Sequence, residues 1–271
     1  MNLFLERMKN VDAFYANRMQ DKERRERLES GFEGVFRSLT RLEPVKFDDM
    51  KAQGVDFKSR LIECRKYDYK GVLTNIAFKA VSIDRFAKRK PKSKTNPSPY
   101  TPEAYAASES LALTAKQAFE TFLASDNERM MFLEDDAMMR TEILDSLTDI
   151  PDADMIVWGG CTNGLRNEAV RFAKTDGYKW RKLSSKSWHC GAQAYELNRK
   201  AASEFLKLYE MFPAIILDQN WLYLFDNVEA YSLMPVGIIQ SGLSTINGST
   251  IRMPLTRQEA MDGIEKGLWR Y

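Results

Sequence analysis

Three consecutive acids, Glu134, Asp135 and Asp136, close the apolar run MMFL at 130–133. Carboxylates packed side by side raise one another's pKa unless something positive neutralises them. A divalent cation is the economical answer, and hard oxygen ligands of this kind suit Mg²⁺ or Mn²⁺, ions that also contact a diphosphate. A solvated acidic turn capping the following helix explains the same residues without any ligand. Beyond this cluster the choice of chemistry narrows quickly. His189 is the only histidine, which excludes multi-histidine metal sites and H-E-x-x-H hydrolases. With no G-x-S-x-G elbow in the chain, a serine triad is not expected either.

The acids need an element to aim them, and the pattern along the chain supplies one. Residues 11–16 (VDAFYA) predict a strand that Asn17 ends, followed by a helix over 21–29 that Gly31 stops. Charges alternate with apolar residues at helical spacing over 47–66, while 71–83 suits a helix or a strand. Leu111, Ala115, Ala118, Phe119 and Phe122 recur on a helical period over 102–125. Residues 130–133 then read as a buried strand, 140–147 as helical, and 155–158 as a strand ending in Gly159 and Gly160. Residues 192–197 resume the order, followed by a helix over 199–211 and a final strand pair at 230–236 and 238–239. Strands alternating with helices predict an α/β fold with a mostly parallel sheet. Ligands bind such sheets at the carboxyl ends of the strands, where the acids stand.

At 271 residues, with 44% hydrophobic and 29% charged side chains, the chain is balanced like a soluble globular protein, which excludes wholesale disorder. We expect one domain over 1–271. No apolar run approaches the roughly 18 residues of a spanning helix. The opening MNLFLERMKN has no leader pattern, so a cytoplasmic location is expected, the host's if the source is viral. Cys64, Cys161 and Cys190 contain no C-x-x-C pair and suit reduced thiols.

The L-E-D-D run at 133–136 resembles the signature of glycosyltransferase family 25, the lipo-oligosaccharide and collagen galactosyltransferase type. FYANRMQDKERRERL at 14–28 is similar to the family's opening strand, Arg-containing loop and Arg-Arg helix. Glu109 through Phe122, Pro151 through Gly160, Gly191 through Ala202, Pro213 with Asp218, and Gln240 with Ser244 follow in the family's order. Thr114 and Ala115 depart from the Ser-His pair the family usually carries, and residues 35–105 have no counterpart. The resemblance implies a GT-A-like fold that takes a nucleoside-diphosphate sugar, a UDP-sugar first, with Mn²⁺ or Mg²⁺ bridging the diphosphate. Asp136 is then the first metal ligand, with Glu134 and Asp135 reaching the metal, ribose or sugar. Asn17 and Arg18 lie where the nucleotide would sit and Arg24 or Arg25 reaches the phosphate, while a solvated helix face is the other reading, favoured for Arg25 and Arg27. Asp218 becomes the base that takes the acceptor's proton in an inverting transfer, or otherwise a helix cap, with Asp154 a weaker candidate. His189 is a third metal ligand, a diphosphate contact, or a packed side chain beside Trp188. Trp158, Gly159 and Gly160 offer a close backbone approach to the donor. Trp221, Tyr223 and Phe225 read as core.

Over 85–102, Arg85, Lys88, Arg89, Lys90, Lys92 and Lys94 gather with four prolines and no acid. A basic loop of this kind is either a solvated flap or a surface for a polyanion. The preferred acceptor is a hydroxymethylated base in DNA, of the kind bacteriophages modify, with lipo-oligosaccharide the rival. A two-metal phosphoryl transferase would want several separated carboxylates. A non-catalytic nucleic-acid-binding protein would leave the acidic motif unexplained.

Overall fold

The apolar runs assemble into a sheet with helices on both faces. The computed structural model describes residues 2–45, 47–54, 102–159, 178–184, 193–211 and 221–240. Helix α1 (Leu3–Met8) leads to β1 (Asp12–Ala16), α2 (Lys22–Gly31), β2 (Ser38–Leu42) and α3 (Phe47–Ala52). The long α4 (Pro102–Leu123) precedes β3 (Arg129–Glu134), β4 (Ala137–Met139), the single-turn α5 (Thr141–Leu144) and β5 (Met155–Val157). Then come β6 (Lys179–Lys182), β7 (Ala194–Asn198), α6 (Arg199–Met211), α7 (Trp221–Asn227), β8 (Ala230–Met234) and β9 (Ile238–Gln240).

Seven strands form the main sheet in the order β2-β1-β3-β7-β5-β8-β6. β1 is parallel to β2 and β3, and β5 is parallel to β8, whereas β7 runs antiparallel to β3 and β5 and β6 antiparallel to β8. Five strands therefore share one direction, and β7 and β6 oppose them. This is the mostly parallel α/β sheet that the alternating pattern predicts.

Both faces of the central strands are covered, so β3 reads as one apolar run rather than an alternating one. Met130 and Phe132 face α4 and α6, packing with Ala115, Phe119, Phe122 and Phe205. Met131 and Leu133 face the other way, towards α1, α2 and α5, with Phe4, Met8, Leu28 and Ile143. One charge breaks the apolar rule in the sheet's interior. Glu196 of β7 is fully buried and accepts from Arg7 Nε at 2.9 and 3.0 Å, Arg129 Nη1 at 2.9 Å and Trp158 Nε1 at 3.1 Å. The carboxylate thereby ties α1 to the sheet.

Several elements depart from the pattern reading. β2 and β6 are the two edges of the sheet, and their sequences SLTRL and KWRK are largely exposed, so neither carries an apolar run. α2 includes Gly31, and the left-handed glycine that follows it is Gly34, with φ of 66°. Helix formation after the acids amounts to one turn, because β4 intervenes. The expected final strand pair is not a hairpin: β9 pairs antiparallel with β4, Ala137 opposite Gln240. Residues 55–101, with the 71–83 segment and the basic loop, lie outside the described residues. No described helix is long and apolar enough to cross a membrane.

Candidate functional site

The parallel register of β1 and β3 sets Ala16 opposite Glu134. Asn17 and Asp135 therefore leave the sheet side by side at its carboxyl edge. The Asn17 amide donates from Nδ2 to Asp135 Oδ2 at 2.8 Å and to the Asp21 carbonyl at 3.2 Å. In α2, Arg24 precedes Leu28 by one turn and shares its inward face. Its Nη2 lies 2.5 Å from Asp135 Oδ1 and 3.3 Å from Asp136 Oδ2. Asn17, Arg24, Asp135 and Asp136 are 1%, 6%, 9% and 3% exposed, so this is an interior cluster and not a solvated acidic turn. Across β3 from Asn17, the Glu134 amide donates to the Gln193 carbonyl at 3.0 Å, and Gln193 Nε2 stands 3.4 Å from Glu134 Oε2.

Burial pushes the Asp135 carboxyl up to about 6; Arg24 and Asn17 pull it down, while Asp136 and Asp21 push it further up. Two buried carboxylates face one guanidinium, leaving the trio one negative charge from neutral when both acids are ionised. The oxygens have the right chemistry for a divalent ion. They do not make a complete site alone, because no three His, Cys, Asp or Glu groups among the described residues come together around one point. Two amide oxygens here, Asn17 Oδ1 and Gln193 Oε1, are buried with no hydrogen-bond partner among the described residues, as is Arg24 Nε. Buried acceptors without donors cost free energy unless a ligand or water supplies the hydrogen.

The remaining expected residues separate clearly. Arg18 lies at the rim, half exposed, paired through Nε with Asp21 at 2.6 Å. Arg25 and Arg27 are partly exposed along α2 while Arg24 turns inward. The Trp158 indole is fully buried, edge-on to Phe4 and bonded to Glu196, which makes it core. A Cβ on Gly159 would meet the Ile238 carbonyl oxygen at 2.7 Å and the Ala194 nitrogen at 3.1 Å. Glycine is thus demanded by backbone crowding where β9 meets the sheet, whatever binds nearby. Asp154 sits at the amino end of β5, the opposite edge, held by Lys200 at 2.6 Å, Asn198 Nδ2 at 2.8 Å and the Glu229 amide at 2.9 Å. Burial raises its carboxyl, but these three partners outweigh burial and hold it below the ordinary range. Trp221 and Phe225 are core. Asp218, His189, Gly160, Lys88, Arg89, Lys90, Lys92 and Lys94 lie outside the described residues. Gln193 went unmarked in the sequence; its only signal there is a polar amide directly before a buried strand.

Neither a protein-family model nor a curated protein matches the chain. Among solved structures it is similar to a glycosyltransferase involved in the glycosylation of the major capsid of PBCV-1, at 7% identity and a TM-score of 0.41, covering 94% of this chain and 98% of that one. So loose a likeness says nothing of chemistry.

Proposed function

We propose that the protein transfers a sugar from a nucleoside-diphosphate sugar, a UDP-sugar first, to a hydroxyl acceptor. One observation carries the reading. Asn17, just after β1, and Arg24 of α2 meet Asp135 and Asp136, more than a hundred residues away, at the carboxyl edge of a parallel strand pair. Those two stretches, 14–28 and 133–136, are among those that carry the resemblance to glycosyltransferase family 25. The donor lies across the carboxyl ends of β1 and β3, with its nucleoside over Asn17. In the transfer the acceptor oxygen bonds to the sugar's anomeric carbon as the bond to the diphosphate breaks. The acceptor's proton passes to Asp218, and the diphosphate leaves with the electron pair.

The gathering of buried carboxylate oxygens at the end of β3, hard ligands of the kind that suit Mg²⁺ or Mn²⁺, supports an ion held by Asp136 and Glu134, with His189 as the third ligand. When bound, such an ion supplies a Lewis acid for the departing diphosphate. Arg24 holds the Asp135 carboxylate in place, and Asn17 fixes its second oxygen. The acceptor we propose is a polyanion met by Lys88, Arg89, Lys90, Lys92 and Lys94, a hydroxymethylated base in DNA before lipo-oligosaccharide.

A thermal-shift screen of uridine, guanosine and cytidine diphosphate sugars, each with and without Mn²⁺, tests the donor. A ligand at a hundred times its Kd adds about 2.7 kcal/mol, which for a chain of this size is a rise of roughly 5–10 °C. A shift that needs both metal and one nucleotide is expected. No shift with any pair, together with steeply salt-dependent DNA binding, would bring forward a non-catalytic nucleic-acid-binding protein.

A further inference from the structure

We propose that Gln193 is a specificity residue that accepts a hydrogen bond from a hydroxyl of the transferred sugar. The inference rests on the donor reading above and adds the residue that recognises the sugar end of that ligand. β3 carries the acids, and its two neighbours in the sheet each end in an amide. Asn17 closes β1 on one side and Gln193 opens β7 on the other.

Each amide turns its NH₂ group towards a β3 carboxylate, Asn17 to Asp135 at 2.8 Å and Gln193 to Glu134 at 3.4 Å. That orientation turns each carbonyl oxygen away from the acid. Gln193 is 2% exposed, and its Oε1 finds no donor among the described residues. Its backbone is pinned too, since its carbonyl accepts from the Glu134 amide at 3.0 Å and its Cβ lies 3.2 Å from where a Cβ on Gly159 would stand. The side chain is thus a buried acceptor on a backbone held by the sheet.

Position selects what it accepts from. Asn17 and Gln193 flank β3 from strands two places apart, a separation of about 9–10 Å. A ligand with its nucleoside over Asn17 and its diphosphate over Asp135 and Asp136 brings its far end to Gln193. That end is a sugar, a ring of O–H donors. Gln193 Oε1 can only accept, so a hydroxyl is the complementary group. A site built to bond a hydroxyl rejects the analogue lacking it far more strongly than an apolar pocket tells shapes apart.

The test compares UDP with UDP-glucose and UDP-galactose, each with Mn²⁺, by calorimetry on the full-length wild type and on Gln193→Met, which keeps the side chain's length. We expect the variant to bind UDP as the wild type does and to lose roughly tenfold in affinity for the preferred UDP-hexose. A series of singly deoxygenated UDP-hexoses on the wild type gives the same answer without relying on the variant's folding: one deoxy analogue should lose about tenfold. In Gln193→Met that analogue should lose nothing more. Equal losses for UDP and UDP-hexose, or none for either, would show that Gln193 holds only water or Glu134, and would overturn the inference while leaving the donor reading intact. No binding of UDP or any UDP-hexose by the wild type would remove the donor reading and this inference with it.

Discussion

Two buried charge clusters sit in the same sheet and are built on opposite plans. Around Glu196 one carboxylate meets two guanidinia and an indole N–H, with Arg129 also reaching Asp152 at 3.2 Å. At the carboxyl edge the ratio is reversed: two aspartates share Arg24, and the flanking amides keep acceptor oxygens without donors. The first cluster has its acid surrounded by donors and fastens α1 to the sheet. The second leaves two buried amide oxygens and the Arg24 Nε–H without partners among the described residues, groups that a hydroxyl- and phosphate-bearing ligand could satisfy.

The comparison can be broken in order of effect. Glu196→Ala removes the buried carboxylate that two partly buried guanidinia and the Trp158 indole share, and we expect a loss of about 3–5 kcal/mol in urea unfolding, unchanged by Mn²⁺. A loss under 1 kcal/mol would show that the cluster is not structural. Arg24→Ala sets two buried carboxylates against each other, at a cost of about 2–4 kcal/mol. Unlike the first loss, part of this one should return when Mn²⁺ is added, read as a rise in Tm. An identical Tm with and without the ion would remove the metal from the edge cluster.

Asp154 sharpens the contrast with pH. Its folded carboxyl titrates below its unfolded value, so its contribution is fully present above the ordinary aspartate pKa of about 3.9 and fades as pH falls through the folded value. Stability of the wild type should therefore drop below about pH 4 more steeply than that of Asp154→Asn, which costs roughly 1–2 kcal/mol at pH 7. Parallel pH curves would contradict the assignment. Smallest of all, Lys22→Ala removes an exposed pair with Glu26 at 3.4 Å and should change stability by less than about 0.5 kcal/mol.

How much of this was legible in the sequence follows from burial. β1, β3, β7, α4 and α6 announce themselves because their apolar residues face a core on one or both sides. The edge strands β2 and β6 stay silent, since ladder bonds to a single neighbour hold them and their few apolar residues, Leu39, Leu42 and Trp180, are interleaved with polar ones and only partly buried. For the site, Asn17 and the three acids were readable as strand ends. Choosing Arg24 over Arg25 and Arg27 needed the inward face that Leu28 defines. Trp158 and Gly159 have a second explanation that the sequence does not show, because tight backbone packing against β9 selects the same residue types as a close ligand. Gln193 could be seen only once β7 was known to lie beside β3, a pairing of residues some sixty positions apart.

The central claim is that the edge cluster is a ligand site and the Glu196 cluster is not. Calorimetric titration of UDP with Mn²⁺ into wild type, Asp136→Asn and Glu196→Gln tests it most directly. We predict saturable heat for the wild type, at least a hundredfold weaker binding for Asp136→Asn, and wild-type affinity for whatever fraction of Glu196→Gln is folded. Equal affinity for wild type and Asp136→Asn would contradict the claim.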